Sequence, residues 1–302
     1  MSSLPWQGIR IRIHFLFWVS ILWSVLTGRF IEIVALFVLV IIHELGHLTA
    51  AWSHGWRVTA LELLPFGGVA RTDEWGTAPA REEIVVALAG PFHNVMMVLA
   101  GFLFYFFGLW SEEWTAFFVK GNAMLAGFNL LPIYPLDGGR VLQGLLSYVL
   151  PYRRCLDWTF KGSLVLSLGL LFLGLFGTGE VHLNLVIVSL FLCHANWTAL
   201  KQREWQYMRF LIRRRDRPLC GGRMVRLAVS SEERLLTVLK GWKKEVYHVM
   251  EVFDRKGRPL GSVPEEVVLK RFYEGESPRA RISELLRRGA GDQTNSRCPG
   301  SG

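Results

Sequence analysis

Apolar residues in this chain fall into long, nearly unbroken runs rather than alternating with polar ones. Six such segments can be marked, at residues 13–27, 30–52, 84–109, 114–131, 160–177 and 181–200. Runs of about 20 apolar residues are what a helix needs to cross a hydrocarbon layer about 30 Å thick. The pattern therefore predicts a mostly α, polytopic membrane protein with about six transmembrane helices. Between the second and third segments, residues 61–70 (LELLPFGGVA) place apolar residues on either side of a Pro-Phe-Gly-Gly turn, which reads as a short extended hairpin. After Lys201 the hydropathy falls. Residues 1–199 then form a transmembrane domain, 200–220 a basic linker helix, 221–288 a small α+β domain and 289–302 a tail of disordered composition.

Charge sharpens this division. Residues 1–199 hold eleven Lys/Arg against twelve Asp/Glu, and residues 200–302 hold 23 against 13. Such a basic tail is attracted to an anionic leaflet; it has no nucleic-acid-binding motif and its charges are interleaved with acids, so no nucleic-acid partner is expected. The loops after the third and fifth segments carry Glu112, Glu113 and Glu180, whereas Arg10, Arg12, Arg57, Arg71, Arg81, Arg153, Arg154 and Lys161 lie on the other side. The positive-inside rule then puts both termini in the cytoplasm. The four cysteines are scattered and make neither a disulfide framework nor a thiolate metal site.

The second segment contains His-Glu-Leu-Gly-His at residues 43–47. Residues four apart share a helix face, so His43 and His47 can grip one zinc ion, with Glu44 beside it as general base. Counted from Ile31, His43 lies roughly 18 Å along the helix, a depth at which ionisable groups mark function. By orientation, the second and fourth segments both run toward the cytoplasm, which brings the stretch NLLPIYPLDGGR at 129–140 to the same depth. Asp-Gly-Gly is an ordinary turn sequence, but this parity makes Asp137 the candidate third ligand. Two imidazoles, a carboxylate and an open position are a catalytic zinc set. A metal or proton transporter is the alternative reading of buried His and Asp.

HELGH, then AGPFHN at 89–94, then the proline-flanked Leu-Asp-Gly-Gly together resemble the site-2 protease family of zinc intramembrane metalloproteases. Many relatives have Asn-Pro-Asp-Gly where this chain has Leu136 before Asp137, with the asparagine displaced to Asn129. The layout is most similar to the sporulation branch of endospore-forming bacteria. The resemblance implies a membrane-associated protein substrate cut near the cytoplasmic face, as with the sigma-factor precursor pro-sigma-K. It also implies a location in the membrane around the forespore on the mother-cell side, and inhibitory membrane partners. Pro135 belongs with the substrate-binding or ligand-supporting residues. Asn94 either supports a ligand or satisfies helix packing, and Asn129 either holds a substrate strand or satisfies a helix end. Phe66, Gly67 and Gly68 either approach substrate or simply turn. Residues 251–272 (EVFDRKGRPLGSVPEEVVLKRF) resemble half of a cystathionine-beta-synthase (CBS) domain, which implies ATP binding and homo-oligomer formation through the cytoplasmic domain.

Overall fold

The computed structural model describes residues 10–13, 28, 30–64, 67–72, 74–177, 181–216, 223–273 and 281–284. The chain divides into two compact units, Met1–Gly144 with Thr159–Thr198, and Leu145–Trp158 with Ala199–Gly302. In chain order the elements are β1 (Arg10–Ile13), α1 (Phe30–Ser53), β2 (Val58–Leu64), β3 (Gly67–Thr72), α2 (Ala80–Phe106), α3 (Glu112–Asn129), α4 (Asp137–Val149), α5 (Tyr152–Phe176), α6 (Leu183–Asp216), β4 (Arg223–Ser230), α7 (Leu235–Lys240), β5 (Val246–Phe253), β6 (Pro259–Pro264) and α8 (Glu265–Tyr273).

In the first unit α1, α2 and α3 pack against one another. Four helices among the described residues, α1, α2, α5 and α6, are long and apolar enough to cross a membrane, and the protein is an integral membrane protein. Their many exposed large apolar side chains, such as Phe102, Phe106, Phe172 and Leu190, belong against lipid. The expected fourth span appears as α3, capped by Ser111, whose hydroxyl accepts from Trp114 N–H at 3.3 Å. Glu112, Glu113 and Lys120 make this helix less apolar than the other four. The expected first span, 13–27, lies outside the described residues apart from Ile13, which closes β1.

The hairpin expected at 61–70 is present as β2 antiparallel to β3, with Leu64 opposite Gly67 and Leu63 opposite Gly68; β1 adds in parallel on the far side of β2. Two other boundaries differ from expectation. Asp137 is the first residue of helix α4 rather than part of a turn, and the helix expected to begin at 160 starts at Tyr152. The last span and the basic linker are one 34-residue helix, α6, because nothing between Leu183 and Asp216 breaks a helix.

The second unit holds a sheet of order β4-β5-β6, with β4 parallel to β5 and β5 antiparallel to β6. The β5–β6 turn is set by Asp254, whose Oδ1 accepts from Lys256 and Arg258 N–H, and by Gly257 at φ 74°. Strand β5 alternates buried and half-buried positions, and Leu239, Trp242, Met250, Val252 and Val268 form the core. A buried polar network ties the end of α6 to this sheet. The Arg214 guanidinium pairs with Glu265 and donates to the Lys244 and Val246 carbonyls, while Glu265 also accepts from His248 N–H at 3.0 Å. Burial pushes the Glu265 carboxyl up, but hydrogen bonds from His248 and Arg214 outweigh it and hold the group below the usual carboxylate range. The tail 289–302 lies outside the described residues.

Candidate metal centre

Glycines let α1 and α2 approach closely at the HELGH turn. A Cβ on Gly46 would stand 2.7 Å from the Ala89 carbonyl oxygen, and one on Gly90 would stand 2.6 Å from His47 Cε1 and 2.8 Å from His43 Cε1. This explains the glycine of HELGH and the glycine of AGPFHN by one requirement: the α2 backbone passes against the turn of α1 that carries the imidazoles. The third contributor arrives from the loop between α3 and α4. Cβ atoms on Gly138 and Gly139 would collide with the backbone of Leu130, Leu131, Ile133 and Tyr134. The two glycines therefore let α4 start directly under that loop, with Asp137 at its first position.

His43, His47 and Asp137 converge. His43 Nε2 lies 3.2 Å from His47 Nε2, and Asp137 Oδ2 lies 3.2 Å from each. All three are buried, at 2 %, 7 % and 6 % exposure, as is Glu44 at 8 %. The protonation of both rings is set from outside the triangle. Asn122 Nδ2 donates to the Phe118 carbonyl at 2.9 Å, so its Oδ1 is free to accept from Asn94 Nδ2, also at 2.9 Å. That turns Asn94 Oδ1 toward His43 Nδ1, which must donate to it. His47 Nδ1 donates to the Val86 carbonyl at 2.7 Å. With both ring protons on Nδ1, each Nε2 presents a lone pair. The Asp137 Oδ2 facing them is buried and has no hydrogen-bond partner among the described residues.

Three lone pairs thus point at one another at 3.2 Å, which is repulsive unless a cation lies among them. Ligands about 2.0–2.1 Å from a tetrahedral zinc stand about 3.3 Å apart, so the spacing and the donor set both fit that ion. Among the described residues no other group of His, Cys, Asp and Glu converges in this way.

The other expected residues fall as follows. Asn94 is fully buried and its Oδ1 accepts from His43. Asn129 Nδ2 donates to the Leu125 carbonyl of its own helix at 3.1 Å. Pro135 is half-buried in the loop before Asp137, after a cis Tyr134–Pro135 peptide. Gly67 and Gly68 open β3, and Phe66 lies outside the described residues. Two residues were missed from sequence, Gly90 and Asn122. Asn122 had a signal, an amide on an apolar helix; Gly90 had none without the neighbouring helix in place.

A bundle of apolar helices carrying an HELGH pair and a remote aspartate defines a zinc-type metalloprotease working within a membrane. The profile of Peptidase family M50 matches residues 31–113. Stage IV sporulation protein FB of Bacillus subtilis is 28% identical over 281 residues, 92% of this chain and 96% of that protein. A zinc metalloprotease of Methanocaldococcus jannaschii is 34% identical over 57% of this chain and 48% of its own length. The solved structure of the site-2 protease from Methanocaldococcus jannaschii is similar with a TM-score of 0.52 and 29% identity, over 66% of this chain and 93% of that one. The chain is thus similar to the site-2 proteases in sequence and in fold and is a zinc metalloprotease, whose substrate is a protein.

Proposed function

We propose that the protein hydrolyses a peptide bond in a membrane-associated precursor near the cytoplasmic face, with His43, His47 and Asp137 as zinc ligands and Glu44 as general base. The observation carrying this reading is the 3.2 Å triangle of lone-pair atoms whose ring protons are held outward by Asn94 and Val86. When bound, zinc supplies Lewis acidity toward the scissile carbonyl and the attacking water. Glu44, on the same helix turn, takes the water's proton on its carboxylate and passes it to the leaving amine. Burial of the four side chains keeps bulk water from competing.

A helical substrate hides its backbone, so it must unwind locally before it can be cut. Strand β3, which Gly67 and Gly68 open, offers a partner by strand addition, and the broken segment around Pro135 a second one. The likeness to a stage IV sporulation protein over nearly the whole chain supports a sigma-factor precursor of the pro-sigma-K kind as substrate. By the same reading the protein makes about six crossings, counting α3 and residues 13–27, has both termini in the cytoplasm, and resides in the membrane around the forespore. Inhibitory membrane partners and a CBS-like role for the β4–α8 unit in ATP sensing and self-association extend this reading; the strand-helix-strand-strand-helix order of that unit supports it.

Co-expression with the precursor, comparing wild type with Glu44→Gln, tests the activity. The wild type should convert the precursor to a shorter product and the variant should hold zinc without converting it. A variant that still cleaves, or a wild type that cleaves none of the precursors supplied, would refute the assignment.

A further inference from the structure

The loop that delivers Asp137 is held by two polar side chains with no place in the chemistry above. Leu131, Ile133 and Leu136 N–H groups bond within the segment 128–136, and Pro132 and Pro135 have none to place. Tyr134 is the exception: among the described residues its N–H and C=O have no backbone hydrogen-bond partner. The N–H donates to Ser163 Oγ of α5 at 2.9 Å, and the C=O accepts from Asn196 Nδ2 of α6. Ser163 is 1 % and Asn196 0 % exposed, on helices whose other faces are lined with exposed leucine, valine and phenylalanine. The Tyr134 ring also packs edge-on against Phe160, with centroids 5.0 Å apart. A peptide group without backbone partners needs others, and side chains from two separate helices supply them at both ends.

We propose that Ser163 and Asn196 are positioning residues for the metal centre, clamping the Tyr134 peptide so that Asp137, three residues on, meets the histidine pair. The inference rests on the reading of Asp137 as the third zinc ligand. It assigns to α5 and α6, which carry none of the ligands, a direct influence on metal affinity.

A double-mutant cycle on the purified full chain in detergent tests the clamp separately from the ligand reading. Zinc affinity is read by competition with a chelator, and the visible spectrum of the cobalt-substituted protein reports ligand geometry. Ser163→Ala and Asn196→Leu should each weaken zinc binding about 10- to 100-fold and change the cobalt spectrum. Ser163→Thr, which keeps the hydroxyl, should restore both. In an Asp137→Ala background the same substitutions should change zinc affinity by no more than about twofold, because the group they position is gone. Folded Ser163→Ala and Asn196→Leu proteins with wild-type zinc affinity, or equal losses in both backgrounds, would overturn the inference. Should Asn196→Leu fail to fold, Ser163→Ala removes a single oxygen and carries the test alone. If Asp137→Ala itself binds zinc as wild type does, the ligand reading fails and the inference that rests on it falls too.

Discussion

Adding one methyl group at Gly90 sets two opposing effects against each other at the metal centre. Alanine is a better helix former than glycine by about 1 kcal/mol, so α2 itself gains. The new Cβ, however, would sit 2.6 Å from His47 Cε1 and 2.8 Å from His43 Cε1, where carbon atoms at rest keep about 3.5–4.0 Å. Roughly 1 Å must be opened, and overpacking of that size costs about 1–3 kcal/mol. The two nearly offset, so Gly90→Ala should fold with a stability loss of at most about 2 kcal/mol. Its metal site should fare far worse, because zinc ligands tolerate only about 0.2 Å of displacement. Zinc affinity, measured by chelator competition, is expected to fall at least about 10- to 100-fold, and precursor cleavage with it. Gly127→Ala is the control: a Cβ there meets nothing within 4 Å, so affinity should be unchanged. A folded Gly90→Ala protein that binds zinc as tightly as wild type would refute the claim that the α2 backbone fixes the imidazoles.

Breaking the relay behind His43 should act without touching a ligand: Asn122→Ala frees the Asn94 amide to rotate and should lower zinc affinity about 10- to 100-fold, while wild-type affinity would remove the relay from the account. In the second unit, the depressed Glu265 pKa contributes stability that is present above its unfolded value of about 4.3 and is lost as pH falls through the lower folded value. Melting of the full chain from pH 7 down to about pH 2 should therefore show a destabilisation below about pH 4.3 that Glu265→Gln flattens; an identical pH profile in the variant would count against the Arg214–Glu265–His248 network as its source.

HELGH was legible in the sequence because a metal pair on one helix face needs only local spacing, and its setting in an apolar run supplied the membrane. The approach of Asp137 to that pair was legible from the expected crossing directions, a counting argument that needs no packing. The start of α4 at Asp137 was not, since Gly138 and Gly139 read as a turn until the Leu130–Tyr134 backbone is seen lying against them. Asn122 and Gly90 escaped for a related reason. Helices apolar on every side carry no periodicity that says which face meets which neighbour, so relays and close approaches between α1, α2 and α3 exist only once the helices are placed. Continuity of α6 was missed because the drop in hydropathy near residue 200 marks the change of solvent, not the end of the helix.

Two imidazoles from one helix and one carboxylate from another are assigned as the ligands of a single zinc. X-ray absorption at the zinc edge of the purified full-length protein tests this assignment most directly. One zinc per chain, in a shell of two imidazole nitrogens and oxygen at about 2.0–2.2 Å, with one oxygen lost in Asp137→Ala, is the result expected. A sulfur shell, or a spectrum unchanged by removing the Asp137 carboxylate, would contradict it.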